Sequence, residues 1–117
     1  MKKVYFLASC STCQRIMKEL NIDDSFQKRE IKSAPLTEQE LDEMKALSGS
    51  YASLFSKRSQ KLREYVKDDN ELTETRCREL ILKEYTFLKR PVILVNGSVF
   101  VGNLSKTVES AKRLLGE

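Results

Sequence analysis

Two thiols three positions apart, Cys10 and Cys13, are the residues of this chain best suited to chemistry. A Cys-x-x-Cys pair closes a disulfide or shares a metal. The chain has no histidine, which removes Ser-His and Cys-His catalysis and histidine-ligated zinc or haem. What remains is thiol chemistry tuned by backbone dipoles and by Lys or Arg. A closed zinc site needs two more ligands, and only Cys77 stands outside the pair, so no metal is expected. Two inert, buried cysteines are the plain alternative to a reactive pair. Cys77 falls among apolar helix-face residues and reads as core packing.

The elements around the pair must position it. Val4-Tyr5-Phe6-Leu7 reads as a buried strand, rich in β-formers and followed by small residues. From Cys13 the spacing of Ile16, Met17 and Leu20 describes a helix face. A cysteine at the start of that helix meets unpaired backbone N–H groups and the positive end of the helix dipole. Both favour a thiolate, and thiols so placed fall from about 8.5 to about 3.5–7.5. Cys10 is therefore the expected nucleophile. Cys13, about one turn further in, is the expected resolving thiol. Arg15 is near in sequence and would either add positive field or point to water.

Further along, Ser25 to Ile31 is the expected second strand, although Phe26 and Ile31 do not alternate cleanly. Thr37-Glu38-Gln39-Glu40 is a capping box opening a helix with Leu41, Met44 and Leu47 on one face, and Gly49 stops it. Tyr51 to Val66 reads as one or two short helices, and Asp68-Asp69-Asn70 breaks the pattern. Thr73 then caps a helix carrying Cys77, Leu80, Ile81 and Glu84. After Pro91 the texture changes. Val92 to Val95 is a strand, Asn96-Gly97 is a hairpin turn, and Val99-Phe100-Val101 returns. Leu104, Val108, Ala111 and Leu115 mark a last helix.

The expected fold class is α/β. A βαβ start pairs its strands in parallel, the hairpin is antiparallel, and a helical middle separates the two halves. That is the layout of a thioredoxin-like mixed four-stranded sheet with flanking helices and a helical insertion.

Composition sets further bounds. The chain has 117 residues, three cysteines and a net charge of +4. That length fits one domain, and an odd cysteine count argues against a secreted disulfide scaffold. Acidic and basic residues are interleaved, so no nucleic-acid footprint is expected. Lys57-Arg58 and Lys89-Arg90 remain as local basic pairs suited to a small anion. The N-terminal apolar run is shorter than the about 7–15 residues an export signal needs, and no longer run follows to span a membrane. A cytoplasmic location is expected.

Five segments occur in an order that resembles a known family. They are Cys10-Ser-Thr-Cys13-Gln-Arg15, Arg29-Glu-Ile-Lys-Ser-Ala-Pro35-Leu36, Lys57-Arg58-Ser59, Arg90-Pro91-Val-Ile-Leu and Val101-Gly102. Together they resemble the glutaredoxin-coupled arsenate reductases and the Spx-type redox-sensing transcription regulators, over essentially the whole chain. The resemblance implies one thioredoxin-like domain over residues 1–117, with its helical insertion at about residues 35–89. It implies Cys10 as the active-site cysteine and Pro91 as the cis-proline beside it. Arg58 and Arg90 match two arginines that hold the oxyanion in the reductases. A guanidinium fork suits a tetrahedral oxyanion, and its charge lowers the pKa of a neighbouring thiol.

Two departures bear on function. The reductases carry a further arginine after the hairpin, where Phe100-Val-Gly-Asn-Leu104 has none and is closer to the Val-Gly loop of Spx-type members. The reductases also lack a thiol at position 13 and use glutathione for resolution. The resemblance thus implies an enzyme in which Cys10 reduces an oxyanion or disulfide and Cys13 or glutathione resolves the adduct. Glutathione is then a co-substrate, glutaredoxin a partner, and no bound cofactor is required. The alternative is a redox-sensing regulator that binds the RNA polymerase α subunit through a Cys10–Cys13 disulfide switch.

Overall fold

The computed structural model describes residues 1–116. The chain divides into two compact units: Met1–Ala34 together with the chain from Arg90 onward, and Pro35–Lys89.

The first unit is built on a four-stranded sheet. Strand β1 is Lys2–Phe6, helix α1 Ser11–Glu19 and strand β2 Gln27–Glu30. After the second unit come β3 (Val92–Val95), β4 (Ser98–Val101) and the last helix, Ser105–Leu115. The sheet order is β2-β1-β3-β4. β1 runs parallel to β2, and β3 lies antiparallel to both β1 and β4. All four residues of β3 are buried, which is why a central strand reads as an unbroken apolar run.

Both faces of the sheet are buried at β3, and one of them holds the cluster that includes α1 and the last helix. Val4, Ile93 and Val95 pack with Ile16 from α1, Leu20 at its C-cap, Phe26, and Ala111 from the last helix. Each of the Val, Ile, Leu and Phe side chains contributes about 1.5–3 kcal/mol by leaving water. Asn96 and Gly97 join β3 to β4 with φ of 46° and 91°. Two positive φ values in a two-residue loop are the type I′ geometry for which Asn-Gly is suited.

β2 is shorter and more polar than its expected span from Ser25 to Ile31. Its sequence, Gln-Lys-Arg-Glu, is that of a sheet edge, and edges are commonly blunted with charge. Phe26 and Ile31 are buried but flank the strand instead of alternating along it.

The second unit is helical. It holds α2 (Glu38–Ser48), α3 (Leu62–Tyr65) and α4 (Glu74–Lys83), which makes the last helix α5. Short 3₁₀ turns occupy Ala52–Leu54, Asp69–Glu71 and Tyr85–Phe87. The Thr37 hydroxyl accepts the Glu40 N–H at 3.1 Å, and the Glu40 carboxylate accepts the Thr37 N–H at 3.0 Å. Gly49 ends α2 with φ 98°. The unit's core includes Leu41, Met44, Leu54, Leu80 and Phe87, each fully buried. Phe87 stacks on Phe55 at 5.1 Å and meets Tyr65 edge-on at 5.5 Å.

Several expectations need correction. Leu47 is 40% exposed, and Leu104, which lies before α5 as its N-cap, is 64% exposed. Both fit a helical period but lie near a helix end, beyond the buried stripe. α4 stops at Lys83, so Glu84 is its C-cap and pairs with Lys61 at 3.2 Å. The break expected at Asp68-Asp69-Asn70 is present between α3 and α4, where the Asp68 carboxylate accepts the Asn70 N–H at 2.9 Å.

Candidate active site

The sheet brings three chain segments to one end of the first unit. β1 ends at Phe6 and leads through Leu7-Ala8-Ser9 to Cys10. The parallel register pairs Phe6 with Glu30, so β2 ends beside the same loop. The antiparallel register pairs Tyr5 with Val92, so the residues just before β3, Arg90 and Pro91, also arrive there. The Arg90–Pro91 peptide bond is cis. Pro91 is buried, and its carbonyl accepts the Gly102 N–H at 2.9 Å.

Cys10 is the N-cap of α1. Its backbone is extended, at φ −89° and ψ 108°, and its Sγ accepts the Cys13 backbone N–H at 3.4 Å. The sulfur thus takes the place that a Ser, Thr or Asp oxygen usually fills. Partial burial pushes the Cys10 thiol up. Hydrogen bonds from the Cys13 backbone and thiol, the positive charge of Arg90 and the Thr12 N–H outweigh it, so Cys10 lies below its ordinary 9.0.

Cys13 behaves oppositely. It is fully buried, and burial is the main reason its thiol is pushed up to about 11. The neighbouring Cys10 adds to this through its hydrogen bond and charge, against the Leu7 backbone and Arg90. One sulfur is therefore half-exposed and inclined to ionise, while the other stays protonated behind it.

The remaining expected site residues lie as follows. Arg15 is on the exposed surface of α1, 4.0 Å from Glu19 one turn on. The positive charge that acts on Cys10 comes from Arg90. Arg58 belongs to the second unit, where it is exposed in the turn at residues 57–58. Cys77 is buried in that unit, and burial, with the charge of Glu74, raises its thiol. Among the described residues, no three His, Cys, Asp or Glu side chains gather as a metal site. Among the described residues, no helix is long and apolar enough to cross a membrane.

Two further residues act at the site, Glu30 and Gln14; both fall within segments that carry the family resemblance, but neither has a role legible from the sequence. Glu30 Oε2 accepts the Ala8 N–H at 2.8 Å. Gln14 Nε2 donates to the Ala8 carbonyl at 3.2 Å. Both hold the loop in front of Cys10. Such bonds from a side chain to distant backbone follow no period, so only a structure reveals them.

A β2-β1-β3-β4 sheet with a Cys-x-x-Cys at the start of its first helix and a cis-proline before β3 defines a thioredoxin-like thiol protein. A family model described as the ArsC family matches residues 5–111. The chain belongs to the ArsC family. Among solved structures, it shares its fold with an arsenate reductase from Vibrio cholerae, 15% identical with a TM-score of 0.78, over 96% of this chain and 95% of that one. It also shares the fold with an arsenate reductase (ArsC) related protein from Brucella melitensis, 21% identical with a TM-score of 0.70, over 93% of this chain and 92% of that one. None of the curated proteins matches it in sequence.

Proposed function

We propose that this protein is a thiol-based reductase in which Cys10 attacks and Cys13 or glutathione resolves. The observation that carries this reading is the placement of the two thiols: Cys10 caps the start of α1 with its Sγ accepting the Cys13 N–H at 3.4 Å, and Cys13 lies fully buried behind it. Membership of the ArsC family supports the same class of chemistry.

With a disulfide substrate, the Cys10 thiolate attacks one sulfur. A Cys10–substrate disulfide forms, the substrate's S–S bond breaks, and the other half leaves as a thiolate. Cys10 then no longer bears a charge, so one cause of the raised Cys13 pKa disappears. Cys13 gives up its proton to the departing thiolate or to water and attacks the Cys10 sulfur. The Cys10–Cys13 disulfide forms and the second half of the substrate leaves with the electron pair. A reducing thiol, glutathione or a glutaredoxin, restores the dithiol.

With arsenate, the Cys10 thiolate bonds to arsenic(V) and an oxygen leaves as water. A second thiolate, from Cys13 or glutathione, then attacks the Cys10 sulfur. The electron pair of the S–As bond stays on arsenic, which departs as arsenic(III). Arg90 steadies the thiolate and offers its guanidinium to the oxyanion. Arg58 is the second cation that the family resemblance implies for that anion.

The test is NADPH consumption coupled through glutathione reductase, glutathione and glutaredoxin, with arsenate and separately with a small disulfide. Wild type is compared with Cys13→Ser and Arg58→Ala. Turnover with the disulfide is expected, and turnover with arsenate that Arg58→Ala weakens assigns the oxyanion as substrate. Silence with both substrates overturns the reductase reading and favours the polymerase-binding switch.

A further inference from the structure

The loop between β1 and Cys10 is held on both sides of one residue. The Cys10 N–H donates to the Leu7 carbonyl at 3.0 Å, which makes Leu7 to Cys10 a tight turn. Ala8, exposed in the middle of that turn, nevertheless has both backbone groups paired. Its N–H is taken by Glu30 Oε2 at 2.8 Å and its carbonyl by Gln14 at 3.2 Å. Glu30 is itself fixed. Its Oε1 accepts the Lys32 N–H at 2.9 Å, the Ser33 N–H at 2.7 Å and the Ser33 hydroxyl at 3.0 Å. The carboxylate therefore ties the end of β2 to the turn that delivers Cys10. An acidic residue in the neighbourhood of a thiolate is electrostatically unhelpful, since like charge raises a thiol's pKa. Its presence here calls for a benefit of another kind.

We propose that Glu30 is a positioning residue for Cys10: it holds the Ala8 N–H so that the turn presents Sγ to the first N–H groups of α1. The effect is indirect. A carboxylate accepting several backbone N–H groups makes charge-assisted bonds, stronger than neutral ones. It thereby fixes the approach of Cys10 to the helix terminus, where thiolate stabilisation falls off within the first turn. This inference rests on Cys10 as the attacking thiolate, but its test does not require turnover.

Reduced full-length protein is alkylated with iodoacetamide across a pH series, and the product is mapped to Cys10 by peptide mass. Glu30→Ala is expected to raise the pH midpoint and slow alkylation at neutral pH by about threefold or more, a midpoint rise of about half a pH unit. Glu30→Gln keeps one acceptor oxygen and places donors where the other stood. It shifts the midpoint less, in the same direction. Amide exchange of wild type is expected to show Ala8 protected despite its exposure, with that protection lost in Glu30→Ala and weakened less in Glu30→Gln. An unchanged midpoint, or one that falls when Glu30→Gln removes the charge, overturns the proposal. So does an Ala8 amide that exchanges as fast as an unstructured one in wild type, a result that stands even where Glu30→Ala fails to fold. A shifted midpoint in a protein silent in the coupled assay would retain the positioning role and remove the reductase reading.

Discussion

Deprotonating Cys13 should destabilise the fold, and the size of the effect follows from its site. The side chain is fully buried, and burial with the adjacent Cys10 holds its pKa at about 11 against an ordinary 9.0. In the unfolded chain the thiol ionises first, so between these values the native state binds more protons than the unfolded state. Stability then falls as pH rises. The contribution is complete below pH 9 and lost by about pH 11, and it amounts to about 2–3 kcal/mol. Replacing Cys13 by Ala removes the titration and a buried sulfur, at a cost near neutrality of about 1 kcal/mol. Wild type is therefore expected to be the more stable protein at pH 7 and to lose that advantage above pH 10. Urea unfolding followed by circular dichroism, in the presence of a reductant, would measure both curves. Tyr and Lys titrations elsewhere are shared by the two proteins and cancel in the difference. Parallel curves from pH 8 to 10.5 would refute the account of Cys13 as a thiol kept neutral by burial.

Two other predictions follow from single contacts. Arg90→Ala removes a positive charge acting on Cys10 and should slow iodoacetamide alkylation of Cys10 at pH 7 by about three- to tenfold, whereas Arg90→Lys should retain most of the rate. Thr37→Ala breaks the capping box of α2 and should cost about 1 kcal/mol in urea unfolding, while Cys10 alkylates at the wild-type rate.

What the sequence reveals is set by whether a feature is local. The Thr37 capping box, the Gly49 stop and the Asn96-Gly97 hairpin depend on a few adjacent residues, and each forms as its pattern indicates. Cys10 at a helix start is equally local, because an apolar strand, two small residues and a helical period frame it. β2 is obscured because an edge strand with charged residues has no alternation to detect. Leu47 and Leu104 mislead because periodicity identifies a face without saying how far the core extends along it. Residues 51–66 are largely turns and two short helical segments, tied in part by side chains. Glu74, for example, accepts the N–H groups of Tyr51 and Ala52 at 2.8 and 2.9 Å. Arg15 shows that nearness in sequence is a weak guide to field, since it faces Glu19 while Arg90, eighty residues from Cys10, supplies the charge. Glu30 and Gln14 lie within segments that carry the family resemblance, but their bonds to the Ala8 backbone are made in the folded chain and give their role no local signature.

The central claim is that Cys10 is the thiol that attacks substrate. It is tested most directly by trapping the covalent adduct. Reduced Cys13→Ser protein, unable to resolve a mixed disulfide internally, is mixed with oxidised glutathione at neutral pH and analysed by intact mass and peptide mapping. The account predicts one glutathione per chain, carried on Cys10 and absent when Cys10→Ser is added. An adduct on Cys77, or none under conditions that derivatise a free low-pKa thiol, would contradict it.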